Sequence, residues 1–328
     1  MIVVTVILPC YNASKSIADS ITSITNQTFT DWELIVVDDA STDRSVQIVK
    51  NFQDTRIKLI QLENNGGYPV AMNAGIAVSQ GKYIARMDAD DICLPQRLEE
   101  QLKALQQFPD ASMCGLNRFR ITPGGQMFCD RNLPKEKYIL ETWAMLMENK
   151  RIFTDPSVML EKERVLAVGG YRTFQRSGMD VDLWLRVMEK FGSCITITQL
   201  FFGKRLEPGA LIFKPETVLI NQIPRALAIQ RKENGQDDIE LGKKIDAEDF
   251  ISKGLIKRGS AEDKINLMHG AAVSCLMFRD LKGARIYIKH IWKGQKGFIS
   301  AIMLALNILK KLIYRVKNNP FQRFTLPL

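Results

Sequence analysis

Three carboxylates stand within four residues in "RMDADDICLP": Asp88, Asp90 and Asp91. Such charges repel one another and are costly to bury unpaired, so the cluster calls for a compensating partner. Hard carboxylate oxygens suit a divalent cation, Mn²⁺ or Mg²⁺, whose other positions would go to water and a substrate diphosphate. In extended backbone residues i and i+2 face the same way. The D-x-D spacing therefore predicts Asp88 and Asp90 on one ligand, with Asp91 left to turn the chain towards Pro95. Taken alone, the triplet reads equally as an Asx-turn capping the next helix. It is accompanied by two further polar clusters, "PCYN" at 9–12 and "DDAS" at 38–41.

The elements that must position these clusters follow two alternating periods. Short β-branched runs at 3–9, 32–39, 56–62 and 81–88 read as strands, and amphipathic segments at 14–27, 41–52, 67–79 and 94–108 read as helices. Ser41 or Thr42 is expected to cap the second helix, and Pro95 to open the fourth. This alternation predicts an α/β fold, a mostly parallel, Rossmann-like sheet flanked by helices. In such sheets ligands bind beyond the carboxyl ends of the strands, which is where all three clusters fall. The loop "LPCYNASKS" after the first strand has no glycine, and no GxxxxGK[ST] occurs. Dinucleotide and P-loop sites are thereby excluded, and a cation is left to take the role of a phosphate cradle.

After residue 110 the rhythm loosens. Residues 111–121 and 193–206 read as strands, 156–172 as strand, helix and Gly-Gly turn, and 180–192 as an amphipathic helix. Residues 122–156 are expected to wall the cleft. Helical patterns return from about 225, with a hairpin at 265–294.

Composition narrows the function classes. The six cysteines are scattered without metal-ligand spacing, and no signal peptide is visible, so a reducing cytoplasmic setting is expected. The two histidines, His269 and His290, lie far from the clusters, which points to a carboxylate as general base. The formal net charge of +9 is uneven. From Lys264 to Leu328 stand 12 Lys and Arg against one acid, Asp280, while the rest of the chain is close to neutral. A basic tail on a neutral body suggests an anionic surface. Within it, Ser300, Asn307, Lys310, Lys311, Arg315 and Lys317 of the stretch 298–317 share roughly 160° of helical arc. The apolar part is shorter than the roughly 20 residues that span a bilayer. An interfacial helix on anionic lipid, possible through residues 298–317, stands beside docking on the protein's own core or on another subunit. No nucleic acid is expected as a partner.

In their order, "VILPCYNASKSI", "SITNQTFTDWELIVVDDASTD", "NGGYPVAMNAGI", "GKYIARMDADDICLPQRLE", "PSVMLEKERVLAVGGYR" and "MDVDLWLR" resemble glycosyltransferase family 2, inverting transferases of the GT-A fold that act on bacterial cell-surface glycans. The resemblance covers about residues 1–200. It implies a GT-A domain over 1–220, with a nucleotide-sugar half at about 1–110 and an acceptor half at about 111–220, followed by a basic helical extension over 221–328. It places Pro9, Cys10 and Tyr11 at the nucleotide base, with Tyr11 as a stacking ring or as packing. Asp39 becomes an acceptor for a base N–H, with helix capping the alternative for Asp38 and Asp39. Asn73 and Asp88 join the nucleotide-sugar ligands. Asp90, with Asp88, becomes the metal ligand, Asp180 the catalytic base, and Trp184 a neighbour of the acceptor. Asp180 stands where helix N-caps are common, and Asp182 is a competitor two residues on.

The implied activity is metal-dependent, inverting transfer from a nucleotide sugar, a UDP-sugar by preference, to a glycan or lipid-linked glycan acceptor. A sugar-nucleotide nucleotidyltransferase and a non-catalytic nucleotide-binding relative are the alternatives. The chain departs from the family pattern at three positions: Met179 where Glu is common before Asp180, Met72 where Arg is common before Asn73, and Asp155 where His is common before "PSV". The first two remove polar groups from the cleft and bear on donor and acceptor selectivity. The implied location is cytoplasmic, at the inner face of the membrane if the tail binds lipid.

Overall fold

The computed structural model describes residues 2–129, 133–174, 177–206 and 221–256. The tail segment 298–317, the hairpin at 265–294 and the expected domain boundary at 220 lie outside them.

The two periods of the sequence become two layers of helix around one sheet. Strands β1 (Val4–Cys10), β2 (Trp32–Asp38), β3 (Ile57–Gln61) and β4 (Tyr83–Arg86) alternate with helices α1 (Ile17–Thr25), α2 (Ser45–Lys50) and α3 (Tyr68–Val78). There follow β5 (Ile92–Cys93), α4 (Arg97–Gln107), β6 (Met113–Ile121), β7 (Met127–Phe128), β8 (Tyr138–Glu141) and α5 (Trp143–Met147). A 3₁₀ turn at Asp155–Ser157, β9 (Met159–Glu161), α6 (Lys162–Ala167), α7 (Met179–Phe191) and β10 (Cys194–Arg205) complete the sheet. Two more helices, α8 (Ile223–Asn234) and α9 (Ala247–Ser252), pack beyond it.

The strand order is β3-β2-β1-β4-β9-β6-β10-β5, with β7 on β6 and β8 on β10. β1 to β4 pair in parallel, and β6 pairs in parallel with β10, while β9 runs against both β4 and β6. The expected mostly parallel sheet is therefore present.

Alternation along β1 divides the core. Val4, Val6, Leu8 and Cys10 join the α1 and α4 side, where Ile17, Ile21 and Ile24 are fully buried at the spacing expected of an amphipathic helix. Ile7, with Ile35 and Val37 of β2, faces α3, α6 and α7. Gly75 of α3 lets the helix close on the sheet, because a Cβ there would lie 2.7 Å from Ile7 Cγ2.

Three local expectations are corrected. Neither Ser41 nor Thr42 caps the second helix, which begins at Ser45. Asp43 Oδ1 accepts from the Ser45 N–H at 2.9 Å instead, since a carboxylate two residues upstream closes an Asx-turn. The fourth helix begins at Arg97, not at Pro95, whose carbonyl accepts from the Thr28 N–H at 2.8 Å. Asp88–Asp91 is not extended: the Asp91 N–H bonds the Asp88 carbonyl at 3.2 Å, closing a turn.

The described part of the C-terminal extension docks on the sheet domain. Ala228 enters the core cluster of α7, and Arg225 donates to the carbonyls of Leu146 and Met147.

Candidate active site

β1, β2 and β4 are adjacent and parallel, so "PCYN", "DDAS" and "DADD" leave the sheet at one edge. Their loops are stitched together. Asn12 N–H donates to Ser41 Oγ at 2.9 Å, Thr42 N–H to Asn12 Oδ1 at 2.8 Å, and Ser14 N–H to Asp43 Oδ2 at 3.0 Å. Ser20 of α1 fixes the third loop by donating towards the carbonyls of Ala89 and Asp91, at 2.8 and 2.7 Å. Polar side chains here hold the backbone of the three loops together.

Within this frame the expected residues occupy different depths. Tyr11, in the loop after β1, is 52% exposed. Pro9 is half-buried at the end of β1, and the Cys10 thiol points into the core, where burial pushes its pKa up to about 11. Asp38 Oδ2 accepts from the Ser41 N–H at 3.2 Å, so of the pair it is Asp38 that serves the turn. Asp39 is buried, and its two oxygens accept from the N–H groups of Gly66 and Gly67 at 2.8 and 2.9 Å. Asn73 of α3 exchanges two hydrogen bonds with the backbone of Tyr171, at 2.8 and 2.9 Å, tethering the Gly-Gly turn to α3.

Asp88, Asp90 and Asp91 present carboxylate oxygens that all lie within 4.8 Å of one another. Asp88 and Asp90 are half-buried. Asp91 is 1% exposed and accepts from the Arg205 N–H of β10 at 3.0 Å, a contact across the sheet and not towards Pro95. An all-oxygen set of this kind fits a hard divalent cation.

Deeper in the cleft lies Arg86, a residue the sequence reading passed over. It is the last residue of β4, two before Asp88, and 4% exposed. Its Nη2 stands 3.1 Å from Asp88 Oδ1 and 3.1 Å from Asp180 Oδ2. Nε donates to the Tyr68 hydroxyl, and the guanidinium carbon lies 4.5 Å from the centre of the Tyr68 ring. Burial lowers the pKa of Arg86, but Asp180 and Asp88 outweigh it and hold the group charged.

Asp180 comes from the first turn of α7, which opens on Gly178 in the left-handed region at φ 76°. Its carboxyl is buried, and its pKa is pushed up to about 7. Burial is the chief cause, opposed by Arg86 and aided by the neighbouring carboxylates of Asp155 and Asp88. Among the described residues Asp180 Oδ1 has no hydrogen-bond partner. Asp182, the competitor, is fully buried and tied to Arg186 Nη2 at 2.7 Å, so its carboxylate belongs to an ion pair. Trp184 is buried, and its Nε1–H donates to Asp155 Oδ1 at 3.3 Å. Asp155 also pairs with Arg151 at 2.7 Å. The Asp that stands where His is common thus links the 3₁₀ turn to α7. A separate cavity of about 220 Å³, lined by Lys82, Tyr83, Glu161 and Arg164 among others, opens at the opposite end of β4. Two of its lining residues, Lys82 and Glu161, pair at 3.0 Å.

The sequence profile described as "Glycosyl transferase family 2" matches residues 5–178. The O-antigen biosynthesis glycosyltransferase WbnJ of Escherichia coli is 32% identical over 192 residues, which span 57% of this chain and 72% of WbnJ. A second Escherichia coli protein, UDP-Glc:alpha-D-GlcNAc-diphosphoundecaprenol beta-1,3-glucosyltransferase WfgD, is 40% identical over 102 residues, 31% of this chain and 40% of that one. In fold the chain is similar to S. aureus TarS in complex with UDP, with a TM-score of 0.57 at 15% identity, covering 99% of this chain and 94% of that one. A complex of TarS with UDP-GlcNAc gives 0.57 at 16% identity, covering 90% of this chain and 93% of that one.

Proposed function

The chain belongs to glycosyl transferase family 2, and from that premise we propose metal-dependent, inverting transfer of a sugar from a UDP-sugar to a glycan or lipid-linked glycan acceptor. It is a glycosyltransferase, which answers the alternative of a nucleotidyltransferase. The single observation that carries the finer reading is the pairing of two carboxylates with unlike environments. Asp88 lies at the open turn after β4, and Asp180 lies buried with one oxygen unpartnered and a pKa of about 7. A general base works best with a pKa near the operating pH.

In this reading Tyr11 stacks on the base and Asp39 accepts from its N–H, held rigid by Gly66 and Gly67. Asp90 and Asp88 hold Mn²⁺ or Mg²⁺, which would neutralise charge on the leaving diphosphate. Asp180 takes the proton from an acceptor hydroxyl, whose oxygen attacks the anomeric carbon opposite the diphosphate. The C1–O bond to the diphosphate breaks as the new one forms. The UDP ligands of TarS and the donor and lipid-diphosphate acceptor in the name of WfgD support UDP and a lipid-linked acceptor. Such an acceptor lies at a membrane, and the basic tail suits its anionic surface.

The test is release of free nucleoside diphosphate from a panel of UDP-, GDP- and dTDP-sugars with Mn²⁺, with and without an undecaprenyl-diphosphate-linked sugar. Acceptor-stimulated release from a UDP-sugar is expected. Nucleotide binding without release from any donor would favour the non-catalytic alternative.

A further inference from the structure

Arg86 holds one guanidinium between two carboxylates that belong to different halves of the reaction. We infer that Arg86 is a positioning residue that couples the cation-binding side of the cleft to the base, because Asp88 and Asp180 compete for the same nitrogen, Nη2, at 3.1 Å each. The inference rests on the reading of Asp88 as a cation ligand and of Asp180 as the base.

Two further observations give the competition a second resting place. Among the described residues Arg86 Nη1 is buried without a hydrogen-bond partner, and so is Asp180 Oδ1. Each orphaned group is costly in a buried site. Both belong to the two members of one ion pair, and a bidentate guanidinium–carboxylate fork would satisfy them together. What opposes that fork is the pull of Asp88 on Nη2. Positive charge placed on Asp88 weakens this pull and releases the guanidinium to Asp180. Tyr68 keeps the movement to a pivot, since its hydroxyl holds Nε and its ring lies against the guanidinium. The base is then aligned once the donor side is charged, which favours donor before acceptor. The coupling is reciprocal by thermodynamic necessity. Removing the charge of Asp180 returns Arg86 to Asp88 and must weaken cation binding.

The experiment is Mn²⁺ binding to the full chain, followed by electron paramagnetic resonance at pH 8, with Mn²⁺ alone as probe. Asp180→Asn is isosteric and is expected to weaken Mn²⁺ binding roughly five- to tenfold. Arg86→Gln is expected to tighten it by a similar factor. In the Arg86→Gln background, Asp180→Asn should shift the affinity by less than about twofold. If Arg86→Gln does not fold, Arg86→Lys takes its place and should shrink the Asp180→Asn effect likewise, because one ammonium on a flexible stem lacks the fork. An Asp180→Asn effect that is nil, or equal with and without Arg86, overturns the inference and leaves the metal reading intact. A wild-type chain that takes up no Mn²⁺ overturns the metal reading, and the inference with it.

Discussion

In the proposed mechanism Asp180 accepts a proton from an alcohol, and its burial raises its pKa towards the range in which a general base works best. Its replacement by Asn keeps the shape and removes the proposed base, so turnover should fall roughly 10²–10⁴-fold, with the nucleotide Kd little changed when Mn²⁺ is saturating. Calorimetry with UDP beside a rate measurement separates the two. The pH dependence follows from the same environment. With a pKa of about 7, the proton-free form is lost as pH falls below 7, and kcat/KM should decline towards a tenfold loss per pH unit. The stability sign is the reverse. A carboxyl whose folded pKa is raised contributes stability that is present at low pH and lost as pH rises through about 7. Asp180→Asn should therefore gain stability relative to wild type between pH 5.5 and pH 8 in urea titrations. In the metal cluster, Asp90→Ala should abolish transfer, whereas Asp91→Asn should cost far less, because an Asn oxygen can still accept from the Arg205 N–H. Activity and thermal melting of both variants decide this. Asp88 and Asp90 stood out in the sequence by residue type and spacing, whereas Asp180 was singled out only by its resemblance to the family motif. Arg86 ends β4 two positions before Asp88, yet its second partner, Asp180, lies far along the chain, and single-sequence spacing carries no such contact.

The elements show the same division between local and distant causes. β1 to β4 and α1 to α3 could be read from periodicity, since each buries a face its own residues define. β5, β7 and β9 have two or three residues each and exist only through their partners, β10, β6 and β4. The Asp88–Asp91 turn was misread as extended because a D-x-D pattern has no preference of its own. α7 is held by an ionic network invisible in the sequence. Arg172 pairs with Asp237 at 2.6 Å and reaches Asp182 at 3.5 Å, while Arg231 of α8 pairs with Glu189 at 2.7 Å and with Asp237 at 2.5 Å. The Asp237 side chain is completely buried. Asp237→Ala would remove the shared counter-charge but leave Arg231 with Glu189 and Arg172 with Glu240, and should destabilise by on the order of 2 kcal/mol, read from urea unfolding. Since α7 carries Asp180 on its first turn, loosening this anchor should also lower turnover at temperatures below melting, without affecting the UDP Kd.

The whole molecule is electrically lopsided. No helix among the described residues is long and apolar enough to cross a membrane. The net positive charge is concentrated in the segment from Lys264 to Leu328, with 12 basic residues against one acid, on a body that is close to neutral. A lysine or arginine near an anionic lipid surface contributes about 1 kcal/mol, and the attraction decays within a Debye length of about 10 Å at 0.1 M salt and about 3 Å at 1 M. If the tail docks on lipid, the full chain should co-sediment with vesicles containing a third phosphatidylglycerol at low salt and be released at 1 M. Replacing Lys310, Lys311, Arg315 and Lys317 together by Gln removes four such contributions, about 4 kcal/mol at most, and should cut vesicle binding at least tenfold. Release of UDP with a water-soluble acceptor should be unchanged in that variant, because the substitutions leave every cleft residue in place. Binding that is indifferent to both salt and these substitutions would assign the basic face to the protein's own core or to a second subunit.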